Sequence, residues 1–190
     1  NSESCCILFD IQKIQELIGG INSGVYPSHP GLDGIIKNKK VNVIIGGPPC
    51  QAYSVAGRIR DKNGMHEDYR NFLFESYMRV VDHYQPDAFI FENVPGMLSA
   101  APGGVSITDR IVEKFSQSGY VISGNLRKQA LFDVSEFGVP QKRKRVIIAA
   151  FRGKSFSDAN KKVDQFYKNL GSQKVDSINI VESAFKGLPQ

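Results

Sequence analysis

The chain has 190 residues, 41% of them apolar, which suits a single domain with one core of ordinary size. Its net charge of +5 and isoelectric point near 9.1 fit either a polyanionic partner or an ordinary basic enzyme. No window approaches the roughly 18 apolar residues of a membrane span, no basic flank and apolar run form a secretory signal, and three cysteines, two adjacent as Cys5 and Cys6, exclude an even-numbered disulfide framework; a cytoplasmic, reducing setting and no membrane partner are expected.

In chain order, a helix is predicted over 11–18. Residues 19–34, with five glycines and two prolines, read as loop, and the three lysines in 37–40 read as a solvated approach to the first strand. Short apolar runs at 41–45, 88–91 and 146–151 read as buried strands of a mostly parallel sheet. Leu73, Tyr77, Val80, Val81 and Tyr84 recur at helical spacing within 68–84. Ile107, Ile111, Val112 and Phe115 do the same within 105–117, where Gly119 is placed to stop the helix. A last helix is predicted over 159–170, opened by Ser157 or Asp158 and closed by Gly171. Strands alternating with helices predict a layered α/β sheet whose ligands collect at the carboxyl ends of the strands.

Three constellations carry chemistry. In "IIGGPPCQAYS", Gly46 and Gly47 fall where the first strand ends, and Pro48 and Pro49 stiffen the exit, which holds Cys50 at the rim of the ligand crevice. Gln51, Ala52, Tyr53 and Ser54 are too polar for core, and Arg58, Arg60 and Lys62 form a basic stretch suited to lowering a thiol pKa or touching phosphate. Cys5 and Cys6, in an apolar run, read instead as buried. In "FIFENVPG", Glu92 and Asn93 follow the apolar part of the second strand, at the same rim. In "GVPQKRKRVIIAA", Gln141, Arg143 and Arg145 alternate, so an extended chain sends them to one face and Lys142 and Lys144 to the other. The chain has no CxxC pair, and His29, His66 and His83 lack ligand spacing, so no metal is expected.

Together these segments resemble the cytosine-5 DNA methyltransferases. That family has a Pro-Cys motif, here Pro49-Cys50-Gln51 running on through "AYSVAGR", a Glu-Asn-Val motif, here Glu92-Asn93-Val94, and a Gln-x-Arg-x-Arg motif, here Gln141 to Arg145, in this order. "DYRNFLF" and "NIVESAFKGLP" are similar to further family segments, and Phe9-Asp10-Ile11 is similar to its Gly-Asp-Ile cofactor segment, with Phe in place of Gly. The resemblance implies a Rossmann-like S-adenosylmethionine-dependent methyltransferase sheet with flanking helices, incomplete at both ends. The family's glycine-rich first cofactor motif is expected before residue 1 and its target-recognition region after residue 190, so 1–190 is expected to be part of one catalytic domain.

The implied activity is a DNA (cytosine-5-)-methyltransferase acting on a flipped-out base in double-stranded DNA, of the kind found in restriction-modification systems, with a cognate endonuclease as a further partner. A thiolate added at carbon 6 turns carbon 5 into an enamine carbon able to take a methyl group, and cysteine suits this because it can also leave again. By the resemblance Cys50 is the nucleophile. Glu92 donates to N3, which requires a proton supplied by burial or by a ring partner, and Arg145 stabilises charge at O2, with Arg143 bracing the carboxylate or contacting the ring. The methyl donor is S-adenosylmethionine, with Asp10 on its adenine side and Pro49 and Leu73 as wall contacts. Gln51, Ser54, Arg58, Asn93 and Gln141 are the implied substrate and DNA contacts, and the segment 51–66 is the implied lid. Two other readings stay open: methylation of a transfer-RNA cytosine, and a non-catalytic nucleic-acid-binding fragment. The isolated chain is expected to have little activity.

Overall fold

A computed structural model of the chain describes residues 5–22, 24, 27–48, 73–101, 104, 106–176 and 181–187. Among the described residues four strands form one sheet: β1 (Val43–Gly46), β2 (Ala88–Asn93), β3 (Leu131–Asp133) and β4 (Lys144–Phe151), in the order β1-β2-β4-β3. β1 and β2 run parallel, with Val43 opposite Ala88 and Gly46 opposite Phe91. β4 is antiparallel to β2 and to β3, so the expectation of a mostly parallel sheet is corrected. A doubly buried apolar run has the same appearance in either direction, because hydrophobic pattern reports burial and not chain sense. Direction follows instead from the connection: residues 134–143 turn the chain back from β3 alongside itself into β4, as only antiparallel neighbours allow.

Three amphipathic helices cover the sheet. α1 (Ile14–Gly19) and α2 (Gly31–Ile36) are short and pack together near α3 (Leu73–Tyr84). α3 buries Leu73, Tyr77, Met78 and Val81, a stripe at helical spacing. α4 (Ile107–Gln117) buries Ile107, Ile111 and Phe115, and the Ser106 hydroxyl accepts from the Asp109 amide at 3.3 Å to cap its start. The four-residue α5 (Leu126–Gln129) leads into β3. α6 (Phe156–Gly171) buries Ala159, Val163 and Tyr167. Its cap is Ser155, not Ser157 or Asp158: the Ser155 hydroxyl takes the Asp158 amide, one of the helix's orphan donors, at 3.2 Å, while the Asp158 carboxylate takes the Lys154 amide just before the cap at 3.0 Å. A last short helix, α7 (Val181–Phe185), follows.

One face of the sheet carries the aromatic core. Phe89 and Phe91 are fully buried, and Phe89 meets Phe115 and Tyr120 edge-on at centroid distances of 4.6 and 4.8 Å, the geometry that ring quadrupoles favour. On the other face α6 lies over β4. β4 outlasts its short partner β3, and its remaining outward N–H groups are still satisfied: Ile147 N–H donates to Ala130 O, Ala149 N–H to the Tyr167 hydroxyl, and Phe151 N–H to Val121 O. Burial pushes the Tyr167 hydroxyl up to about 12, and it donates in turn to Ile147 O at 3.0 Å.

Two further expectations are corrected. Residues 19–34 are not all loop: Ile21 and His29 form an antiparallel bridge, and α2 starts at Gly31. Gly31, at φ +71°, lies directly against the backbone of Ile18 to Gly20 with no room for a Cβ, so glycine there serves close approach of α1 and α2 and not looseness. Cys5 and Cys6 are exposed, because no apolar face among the described residues covers their run. β1 is an edge strand in this sheet, and Val43 and Ile45 on one of its faces are 51% and 72% exposed. Among the described residues no helix is long and apolar enough to cross a membrane.

Candidate active site

The parallel register of β1 and β2 brings their carboxyl ends together, so Gly47 and Pro48 leave β1 beside Glu92 and Asn93 at the end of β2. β4 enters from the opposite direction, with Ile147 across from Glu92. Arg145, two residues earlier on β4, therefore emerges on the same face as Glu92, one pleat further out. The two side chains meet, Arg145 Nε standing 2.7 Å from Glu92 Oε1, with Arg145 19% and Glu92 43% exposed. A second guanidinium nitrogen, Nη1, donates to Lys144 O at 2.8 Å and fixes the plane of the group. The other carboxylate oxygen, Oε2, faces Gly47, where an added Cβ would stand 2.9 Å from it. The carboxylate is thus held between a guanidinium and the glycine turn that leads to Pro49 and Cys50.

Asn93 is turned inward. It is 5% exposed, its amide nitrogen donates to Pro48 O at 3.3 Å, and its amide oxygen accepts from the Val94 amide at 2.8 Å. Its polar atoms are occupied within the protein, which does not favour the expected contact with DNA. From below, the Tyr77 ring packs against Gly46, and its hydroxyl donates to Ile90 O at 3.1 Å.

Arg143 is exposed and lies before β4 begins. Its backbone is anchored, the amide donating to Asp133 Oδ1 at 3.2 Å and the carbonyl accepting from Val134 at 3.0 Å. The expected extended alternation of Gln141, Arg143 and Arg145 is corrected: the ladder starts only at Lys144, and Gln141 closes a tight turn onto Val139 O. Arg145 alone of the three stands on the strand. Asp133, which the sequence reading passed over, is held below the usual carboxylate range first by the Ser135 hydroxyl, then by the Ser135 amide, with the Arg143 amide adding to them.

Of the expected cofactor contacts, Asp10 is half-buried and accepts from the Gln12 amide at 2.9 Å in the turn before α1. Leu73 is 8% exposed in the first turn of α3. Pro49, Cys50, Gln51, Ser54 and Arg58, with the whole of 51–66, lie outside the described residues. Tyr77 and Asp133 were missed by sequence reasoning, which placed Gly47 at the strand exit without its contact to Glu92. Tyr77 looked like any core position of its helix, and the contacts of the other two depend on pairings made across the sheet.

The profile of the C-5 cytosine-specific DNA methylases matches residues 10–186. The chain belongs to this family. Among its relatives, the type II methyltransferase M.Bpa9945I of Bacillus paralicheniformis is 50% identical over 117 residues, 60% of this chain and 26% of that protein. The DNA (cytosine-5-)-methyltransferase M.ApeKI of Aeropyrum pernix is 36% identical over 138 residues, 64% of this chain and 28% of that protein. These matches therefore span little more than a quarter of the relatives' length. In structure the chain is similar to a protein described as a DNA modification methyltransferase encoded within an E. coli prophage, with a TM-score of 0.55 and 26% identity, covering 84% of this chain and 38% of the other. The sheet and flanking helices expected of a methyltransferase are present in this C-5 cytosine methylase segment.

Proposed function

We propose that this C-5 cytosine methylase segment carries the chemical centre of a restriction-modification DNA methyltransferase that methylates carbon 5 of a flipped-out cytosine in double-stranded DNA. The observation that supports this most is the Glu92–Arg145 pair, set against the glycine turn two residues before Pro49-Cys50. A carboxyl group and a guanidinium side by side match one edge of a pyrimidine, where N3 and O2 are neighbours. No metal is needed for this chemistry.

In this reading the Cys50 thiolate adds to carbon 6, and the electron pair displaced toward N3 and O2 is met by Glu92 and Arg145. Glu92 is 43% exposed, so the proton placed between it and N3 is drawn from solvent. Bound S-adenosylmethionine supplies an electrophilic methyl group to carbon 5. The residues present fit that donor: the glycine exit at Gly47 leaves no side chain over the strand end, and Asp10, Pro49 and Leu73 would hold it. The transfer would leave S-adenosylhomocysteine, and loss of the carbon-5 proton to solvent water, its electron pair restoring the 5,6 double bond, then lets the Cys50 sulfur leave with its electron pair. Arg143, Gln141, Gln51, Ser54 and Arg58 are assigned to positioning the nucleic acid, and the remaining cofactor contacts and target recognition to the longer protein. Its setting is the cytoplasm, beside the chromosome.

The test offers the full-length protein S-adenosylmethionine carrying a tritiated methyl group, with duplex DNA or transfer RNA as acceptor. Label is expected on DNA cytosine and lost in Cys50→Ala; label on RNA alone would overturn the substrate assignment.

A further inference from the structure

Arg143 lies one residue before β4, yet both polar groups of its backbone are taken by the end of β3. Its N–H donates to Asp133 Oδ1 at 3.2 Å, and its carbonyl accepts from the Val134 N–H at 3.0 Å. The same carboxylate oxygen accepts from the Ser135 N–H at 3.1 Å and from the Ser135 hydroxyl at 2.8 Å, and that serine is buried. Asp133 thus closes an Asx turn where the 134–143 connection begins and also catches the residue where it ends. The segment leaving α6 holds the connection from outside: the Val175 N–H donates to Glu136 O at 2.9 Å, and Lys174 pairs with the Glu136 carboxylate. Arg143 itself is exposed, and among the described residues no side chain partners its guanidinium. What the fold fixes is therefore the root of the arginine, while its charge stays available to an outside anion. A side chain with a fixed root gives up less freedom on reaching that anion than one carried on a loose loop.

We infer that Asp133 is a positioning residue whose acceptor oxygen holds the backbone of Arg143 so that the guanidinium meets a phosphate of the nucleic acid. The inference rests on the DNA methyltransferase reading above. The role belongs to the oxygen as an acceptor and not to its charge. A carboxylate near a polyanion repels it, so removal of the charge by itself would tighten binding; loss of the acceptor is expected to weaken it.

The experiment measures Kd of the full-length protein for duplex DNA over a series of salt concentrations. Arg143→Ala is expected to weaken binding roughly tenfold near about 0.1 M salt and to lower the slope of log Kd against log salt by about 0.9, the value of one phosphate contact. Asp133→Ala is expected to weaken binding at least about threefold and to lower the slope in the same direction. The double variant should bind no more weakly than Arg143→Ala alone. Asp133→Asn keeps an oxygen for all three donors and is expected to stay within about twofold of wild type. A merely structural role would reduce the active fraction and leave the slope as it was. Should Asp133→Ala not fold, Asp133→Glu, which keeps the charge and displaces the oxygen by one carbon, carries the same comparison against Asp133→Asn. Unchanged or tighter binding by Asp133→Ala, a wild-type slope in either single variant, or strictly additive losses in the double one would overturn the inference. Wild-type protein that neither binds nor methylates duplex DNA would instead remove the reading on which it rests.

Discussion

Replacing Arg145 with alanine and Glu92 with glutamine, singly and together, separates what the pair does for the fold from what it does for the reaction. At 2.7 Å, two unit charges attract by roughly 6 kcal/mol at an effective dielectric of about 20. Glu92 is 43% exposed, so solvent screening and the cost of desolvating Arg145 offset most of that attraction, and exposed pairs typically retain only about 0.2–1 kcal/mol. The pair should therefore contribute about 1 kcal/mol to stability, read by urea denaturation. Its effect on turnover is expected to be larger: loss of one preorganised group facing developing charge typically costs about 3 kcal/mol, on the order of 100-fold or more in kcat. In the proposed reaction both groups act on one edge of one ring, so the double variant should be little worse than either single one. Steady-state methyl transfer by the full-length protein measures this. Strictly additive losses in kcat, or losses matched kcal for kcal by lost stability, would refute the reasoning.

Two further perturbations act on the same corner. Gly47→Ala places a methyl group 2.9 Å from Glu92 Oε2; because the carboxylate is the end of a flexible side chain it can move aside, so stability should change by less than about 1 kcal/mol while kcat falls and KM for DNA holds. Asp133, held below its ordinary 3.8 mainly by the Ser135 hydroxyl, has a lower pKa folded than unfolded. Its contribution is therefore present above the ordinary value and lost as pH falls through the folded one. Asp133→Asn should flatten the acid limb of the stability profile below the ordinary carboxylate value of 3.8, followed by circular dichroism; an unchanged acid limb would show that the clamp on Arg143 contributes nothing.

The helices were legible because their buried stripes are local. Ile107, Ile111 and Phe115, or Leu73, Tyr77 and Val81, declare their faces by spacing alone. Strand positions were also legible, since 88–91 and 146–151 are apolar runs bounded by polar residues. What the residues could not declare was chain direction and partner: the turn through 134–143 sets β4 antiparallel to β3, its antiparallel pairing with β2 is made across the sheet, and β3 is too short and too mixed to stand out. The same limit shaped the site. That Glu92 and Arg145 share a corner follows from motif and strand ends, whereas the inward turn of Asn93 and the separation of Arg143 from the strand depend on hydrogen bonds to Pro48 and Asp133, residues 45 and 10 positions away. Ser155 was overlooked as a cap because Ser157 and Asp158, just inside the helix, are equally good capping residues by type.

The claim on which all of this depends is that the sulfur of Cys50 bonds to the target ring. Intact-mass measurement of the full-length protein after incubation with S-adenosylmethionine and duplex DNA containing 5-fluorocytosine tests it without intermediary assumptions. The expected result is a species carrying the mass of protein, oligonucleotide and one methyl group, mapped to Cys50 by digestion and missing from Cys50→Ala. A methylated DNA product formed equally well by Cys50→Ala, with no linked species in either protein, would contradict it.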